Sequence, residues 1–353
     1  MIKLTIKVLK RLSRVLRVMA SLSWLKLWRA YRRNARVVLW IPEKSFRYLC
    51  SDAFVWDAAT IAGLLDAGVS FRIVAGLNIG HCHHKAIFYT ISNRYNVFGF
   101  DDYTDVLQHI TNRLEAQGNM VFPKNSEAVF WENKAHMHHL FRSAKVHEPR
   151  TTIFKGFEAL LSADLTFPFL IKAEHSCSSE GLYKIDSWSD LADLVSNDQF
   201  VMENKNIIVQ ELINMRKDLR VILVKEDIVL HYWRINTAEE WKPTSTSYGS
   251  KVDFDFFPEQ WRAHIIDTFK SLKLTTGAFD ITWANDDLAT EPIYLEVSPF
   301  YQPNPPMVLK EKAYAFYKQN FSFRNSWDVK YVDVVFSIKS KQVKAYLDDA
   351  PVG

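Results

Sequence analysis

The stretch FDITWANDDLATEPIYLEVSPFYQPNPP, Phe279 to Pro306, sets two carboxylates, Asp280 and Glu296, into apolar strand surroundings and ends in a proline-rich stop. Phe279, Ile281 and Trp283 alternate along one arm and Ile293, Leu295 and Val297 along the other, while the turn-rich NDDLATEP joins them, so the stretch reads as a β-hairpin. On that alternation Asp280 and Glu296 share a face with Thr282, Tyr294 and Ser298, opposite the apolar residues. Two carboxylates facing each other across paired strands repel. A cation between them resolves the repulsion, and hard oxygen ligands select magnesium or calcium. The same pattern also fits a plain polar outer face of an antiparallel hairpin.

Working back from the hairpin, 353 residues exceed one small core, and two or three domains are expected. A hydrophobic content of 48%, with 24 Phe, 14 Tyr and 11 Trp, supplies ample material for buried cores and excludes a disordered chain. Cys50, Cys82 and Cys177 are odd in number and far apart, which suggests a reducing compartment instead of a disulfide frame. The net charge of +4 hides an asymmetry: residues 1–36 hold four Lys and seven Arg and no acid, while the remainder sets 33 basic against 40 acidic residues, a formal −7.

That basic segment has two faces. Lys3, Lys7, Lys10, Arg14 and Arg17 fall on one side of a helix, and Leu9, Leu12, Leu16 and Met19, with Val8 and Val15, on the other. Trp24, Trp28 and Tyr31 follow among Lys26, Arg29, Arg32 and Arg33, the mixture expected where amphipathic rings and cations meet lipid headgroups. The segment reads as an in-plane helix on an anionic membrane; packing on the protein's own acidic body, oligomerisation and nucleic-acid contact are the alternatives. Its longest uncharged run, Val18 to Leu25, is too short to span a bilayer, and further arginines follow it in place of a cleavage site.

Between Ala35 and about Ser126 a strand at Val37–Ile41, a helix over Trp56–Ala67 stopped by Gly68, and a strand over Val69–Ala75 suggest an α/β unit. A helix over Tyr103–Ala116, ended by Gly118, and a short strand at Met120–Pro123 complete it. His81, Cys82, His83 and His84 are adjacent and lack a partner pair at finger-like spacing, so zinc is not expected there. His136, His138 and His139 read as the exposed side of a helix from Asn133 to about Ser143.

Farther on, FLIKA (Phe169–Ala173) is a buried-strand run interrupted by Lys172, whose ammonium needs an anion, a carboxylate or the surface. The following HSCSSEGL, with Ser176, Ser178, Ser179 and Gly181, has the small hydroxyl residues and free backbone N–H groups that let phosphate approach. IIVQELI (Ile207–Ile213) reads as a strand, and Leu219–Val224 and Ile228–Trp233 as a meander around a KED turn. Asp218 and Arg220 flank the first meander strand, where a local salt bridge between them is the simple reading; Arg234 ends the second. Residues 236–255 read as a mobile functional loop, and 259–273 as a helix.

Taken in order, these pieces resemble the ATP-grasp superfamily over roughly residues 36–320. FLIKAEHSCSSEGL resembles the strand lysine and phosphate loop of that family, IIVQELI its adenine hinge, DLR (Asp218–Arg220) its acid-x-arginine strand, and FDI with YLEVSP its magnesium strands. The resemblance implies α/β and α+β architecture: a small α/β pre-domain (35–126), then a small subdomain (127–205) and a large subdomain with the magnesium site (206–326), both α+β with antiparallel sheets clasping ATP. The basic amphipathic helix (1–34) and a tail (327–353), partly strand-like at Tyr331–Ile338, flank them. It further implies ATP and Mg2+ as cofactors. Lys134 and Lys172 would contact phosphates covered by Ser178, Ser179 and Gly181, Glu211 and Leu212 would bind adenine, and Asp218 and Arg220 would line the nucleotide. Asp280, Glu296 and Ser298 would hold the metal, and Arg234 would meet the transferred phosphoryl group or a substrate carboxylate. Ser298 departs from the usual asparagine, and the glycine usual soon after it is replaced by PFYQPNPP.

Most members of that superfamily join a carboxylate to an amine, so the resemblance implies a ligase acting through an acyl phosphate. Combined with a membrane-surface helix, the acceptor expected is a lipid-linked glycan or its precursor, in the cytoplasm at the inner membrane face. A homo-oligomer is compatible, and nucleic acid is not an expected partner. A phosphotransferase that stops at a phosphorylated product, or a nucleotide-binding scaffold without turnover, are the alternatives.

Overall fold

The computed structural model describes residues 13, 15–42, 46–49, 52–76, 78–90, 103–130, 133–175, 181–301 and 332–350. The chain divides into two compact units, residues 1–129 with 302–353, and residues 130–301.

The first unit is built on a four-stranded parallel sheet: β1 (Val37–Ile41), β2 (Phe71–Ala75), β3 (Ala86–Tyr89) and β4 (Met120–Phe122), in the order β2-β1-β3-β4. Its central strands carry unbroken apolar runs, VVLWI and AIFY, because parallel strands are covered on both faces. Two helices, Asp52–Asp66 and Val332–Asp349, pack against each other and share one core with β1, β3 and β4. Gly63 permits their close approach, since a Cβ there would lie 3.0 Å from Val343 Cγ2 and 3.2 Å from the Ser340 Cα. The expectation of strand-like structure at Tyr331–Ile338 is therefore corrected. Alternating β-branched residues in VDVVFSIK mimic strand period, yet Val335, Phe336, Val343 and Tyr346 bury at helical spacing.

Of the basic N-terminal segment, Lys3, Lys7, Lys10 and Arg14 lie outside the described residues. Farther along, Val18 and Leu22 are buried in the first unit's core, so this part packs on its own body. The helix Trp24–Ala30 buries none of its residues. Trp28 is 77% exposed and Trp24 52%, with Leu25 exposed between them. No described helix is long and apolar enough to cross a membrane.

The second unit holds two antiparallel sheets. The smaller contains β5 (Thr151–Lys155), β6 (Phe169–Ala173), β7 (Leu182–Ile185) and β8 (Asn206–Glu211), ordered β5-β8-β6-β7. The larger contains β9 (Lys217–Val224), β10 (Asp227–Ile235), β11 (Lys251–Asp253), β12 (Thr276–Thr282) and β13 (Ile293–Ser298), ordered β11-β10-β9-β12-β13. The segment expected as a 236–255 loop thus ends in an edge strand, β11, paired with β10. A helix, Lys134–Ser143, ties the two sheets together: its first N–H donates to the Glu174 carbonyl just past β6, and the Val297 N–H of β13 points at Met137 Sδ, 3.3 Å away. The chain leaving this helix continues along β13, where His147 O accepts from Tyr294 N.

Candidate active site

The central hairpin forms as its period requires, and its two acids meet: Asp280 on β12 lies directly opposite Glu296 on β13. Beyond that pair the register shifts, since Ile281 faces Tyr294, leaving Leu295 as a bulged extra residue. One surplus residue reverses the side-chain alternation. Tyr294, expected beside the acids, instead packs on the apolar side, its ring 4.8 Å from that of Phe279.

A row of charged side chains runs from the hairpin across the sheet. Asp280 is in register with Arg220 on β9, and Asp218, two residues earlier on the same face, is in register with Arg234 on β10. Arg220 Nη1 donates to both Asp280 oxygens, at 3.0 and 3.2 Å. Arg234 grips Asp218 through Nε, at 2.8 Å, and Nη2, and its Nη2 also lies 2.8 Å from Asp280 Oδ2. The simple pairing of Asp218 with Arg220 is thereby corrected. Neighbours two apart on a strand point the same way without meeting, whereas cross-strand partners meet head on. Thr244, from the segment after β10, adds a hydroxyl hydrogen bond of 2.9 Å to Asp218.

The row's electrostatics follow from burial opposed by pairing. Burial would raise the Asp280 carboxyl, but Arg220 and then Arg234 outweigh it and hold the group below the ordinary range. At Asp218 burial wins over Arg234, and the carboxyl sits above it. Glu296 makes no hydrogen bond or ion pair among the described residues, and Arg220 Nε is a buried donor likewise without a partner there. Ser298 donates its hydroxyl to the Phe300 carbonyl at 2.6 Å and accepts from the Phe300 N–H at 3.2 Å, so its oxygen is engaged in the turn that follows.

The smaller sheet contributes Lys172 from β6. Burial pushes its ammonium down to about 8; Glu296 is the strongest group holding it up, Lys134 opposes, and Asp280 and Glu148 assist. Gly181, with φ of +67°, re-enters the sheet by accepting at its carbonyl from the Ala173 N–H, 2.8 Å away. Ser178 and Ser179 lie outside the described residues. Glu211 ends β8 with both carboxylate oxygens held by Arg150, through its backbone N–H and its Nε, each at 2.7 Å; Leu212 follows, half-buried. The side chain of Glu211 is thus committed to Arg150.

Lys172 is therefore the electrostatic neighbour of Lys134, Asp280 and Glu296, with Arg220, Arg234 and Asp218 continuing the row. Among the described residues no three His, Cys, Asp or Glu side chains gather as a metal group. Two opposed carboxylates still suit magnesium, which takes one or two from protein and completes its shell with phosphate oxygens and water. Glu296 is the freer of the two donors, because Asp280 already serves two guanidinium groups.

Sequence reasoning missed His138 and Glu148. His138 was expected on an exposed face, yet its side chain is wholly buried and its Nδ1 contacts Glu148 Oε2. Its position four residues after Lys134, on the same side of the helix, was the available signal.

No known family model matches the sequence, and no curated protein resembles it in sequence. Solved structures do resemble it in fold. D-alanine–D-alanine ligase from Bacillus anthracis is 13% identical, covering 89% of this chain and 99% of its own, with a TM-score of 0.56. D-cycloserine synthetase DcsG is 10% identical, covering 88% and 98%, with a TM-score of 0.54. A RimK domain protein of the ATP-grasp type from Sphaerobacter thermophilus DSM 20745 is 12% identical, covering 87% and 99%, with a TM-score of 0.53.

Proposed function

From the premise that this chain has the ATP-grasp fold, we propose that it is an ATP-dependent carboxylate–amine ligase. The observation that carries the reading is the opposed pair Asp280 and Glu296 on the large sheet with Lys172 of the small sheet as their electrostatic neighbour. Two antiparallel sheets that bring cations and carboxylates together can hold a triphosphate between them.

In this reading Lys134 and Lys172 bind phosphate oxygens, with Gly181 and Ser178 and Ser179 covering them, and the backbone at Glu211 and Leu212 reads adenine. Asp280, Glu296 and the Ser298 turn would hold magnesium, which when bound draws charge from the phosphates. Arg234 is fixed by Asp218 through Nε and Nη2, so its guanidinium is held in one orientation for a phosphoryl or carboxylate oxygen. The acceptor carboxylate attacks the γ-phosphorus and ADP leaves. An amine then attacks the acyl carbon, loses a proton and expels inorganic phosphate. Positioning and charge neutralisation supply the catalysis, and no protein nucleophile is required. The 236–250 segment, anchored to the charge row through Thr244, would exclude water from the acyl phosphate.

The test is incubation with magnesium-ATP and paired carboxylates and amines. ADP, phosphate and an amide support a ligase; a stable phosphorylated product indicates a kinase, and thermal stabilisation by magnesium-ATP without ADP release a scaffold. Glu296→Ala should lower turnover by about 10²–10³-fold with the melting temperature little changed. Undiminished turnover would refute the assignment of Glu296.

We further infer a peripheral membrane location, from exposed Trp24, Leu25 and Trp28 interleaved with Lys26, Arg29 and Arg32. A lipid-linked glycan precursor is the acceptor such a location favours. Trp24→Ala with Trp28→Ala should weaken sedimentation with vesicles containing anionic lipid, and unchanged sedimentation would remove this part of the reading.

A further inference from the structure

We propose that Asp286, with Asn285 beside it, is the positioning residue that fixes the linker between the two sheets of the second unit, and through it the backbone that reads the nucleotide base. The proposal rests on the reading of Glu211 and Leu212 as the backbone that meets adenine, and adds to it the device that holds this backbone still.

The chain passes from the small sheet to the large one through residues 212–216, between the end of β8 at Glu211 and the start of β9 at Lys217. Arg150 ties the near end: its N–H and Nε hold the Glu211 carboxylate, and its carbonyl accepts from the Glu211 N–H at 2.9 Å. The ties at the far end come from a turn remote in sequence, the one that joins β12 to β13. The Asp286 carboxylate accepts from the Arg216 N–H with both oxygens, each at 3.1 Å, and from the Lys217 N–H with Oδ1 at 3.3 Å. Asn285 and Asn214 form a reciprocal pair, since Asn285 N donates to the Asn214 carbonyl and Asn214 Nδ2 to Asn285 Oδ1, each at 2.7 Å. The Arg216 and Lys217 carbonyls are taken in turn by the Asn236 N–H, at 2.8 Å, and the Thr282 hydroxyl, at 2.9 Å.

This clasp exceeds what a turn needs. Asn285 and Asp286 both hold left-handed backbone, with φ of 57° and 56°, a region that glycine enters at less cost. Glycine would turn the chain but has no oxygen to offer the linker. Between the two anchorages, Leu212 and Ile213 are half-buried and make no backbone hydrogen bond outside the sheet ladders among the described residues. Backbone N–H and C=O groups taken from water call for a partner. An adenine edge has matching chemistry, because its ring nitrogen accepts and its amino group donates; guanine presents the reverse order. A linker fixed at both ends offers its donor and acceptor at a set spacing, and one loose at the far end does not. Asp286 thus acts on base recognition without touching the base.

The experiment measures binding of the full chain, with magnesium, to non-hydrolysable analogues of ATP and GTP and to tripolyphosphate, which has no base. Wild type should prefer the ATP analogue to both by more than about tenfold. Asp286→Ala should weaken the ATP analogue by about tenfold and leave tripolyphosphate binding unchanged. Asp286→Asn, whose amide oxygen can stand where Oδ1 stands and accept from both N–H groups, should keep the wild-type preference. A merely structural role would weaken all three ligands alike, and that result overturns the proposal. If Asp286→Ala does not fold, Asn214→Ala decides: it removes one side-chain bond of the clasp and should narrow the preference by about threefold, and an unchanged preference overturns the proposal. Wild type separates the layers. A wild type that binds the ATP analogue no better than tripolyphosphate overturns the base reading itself, and one that binds none of the three overturns the nucleotide reading. A wild-type preference that survives intact in Asp286→Ala overturns the clasp alone.

Discussion

The parallel sheet of the first unit and the five-stranded sheet of the second bury similar apolar runs, but they treat charge differently. Around β1 and β3 the contacts are chiefly those of Phe71, Phe88, Phe122 and the two helices that meet at Gly63, and the buried acids there lie apart, Asp57 taking the Tyr48 hydroxyl and Glu127 that of Tyr346, so the unit is held mainly by shape. Across β10, β9, β12 and β13 one face instead carries a row of Arg234, Asp218, Arg220, Asp280 and Glu296, which costs desolvation and returns directed cations and anions. Buried charge is weak evidence for stability, so a row of it concentrated on one sheet face marks where the chemistry is sought.

That contrast is open to direct attack. The largest effect is expected from Arg234→Ala, which leaves Asp218 buried without its guanidinium; a loss of about 3–5 kcal/mol in chemical denaturation is expected together with loss of turnover. A loss below about 1 kcal/mol would show the row to be less tightly coupled than its geometry implies. Gly63→Leu should cost about 1–3 kcal/mol by forcing the Asp52–Asp66 and Val332–Asp349 helices apart, with ATP turnover per folded molecule unchanged. A fall in that turnover would erase the division between a unit held by shape and a unit working by charge. Thr244→Val removes one hydrogen bond to Asp218 and should cost about 1–2 kcal/mol, and a faster loss of ATP to water than in wild type would sharpen the role of the 236–250 segment.

What the residues declared beforehand was whatever depends on local period and turn chemistry. The strands at Val37–Ile41 and Phe169–Ala173 and the helix at Tyr103–Ala116 fall where their patterns put them, and Asp280 meets Glu296 as alternation requires. What stayed hidden depends on partners distant in sequence. Asp218 pairs with Arg234 instead of the nearer Arg220 because strand register, not sequence proximity, sets the contact. The Val332–Asp349 segment resembles a strand until the helix it packs against is known, and β3 was overlooked behind the histidine-rich run before it. His138 looks solvent-facing in a polar helix, and only the return of Glu148 beneath it makes burial tolerable.

The bulge at Leu295 carries a last implication. Because one residue is looped out between Tyr294 and Glu296, the aromatic end and the acidic end of β13 are out of phase. Any ungapped comparison of this arm with a regular strand can superpose the tyrosine or the glutamate, but never both. Removing Leu295 would make Tyr294 the immediate neighbour of Glu296, and regular alternation would then leave the ring on Phe279 and the carboxylate opposite Asp280, so a single-residue deletion there should straighten the arm without exchanging its faces.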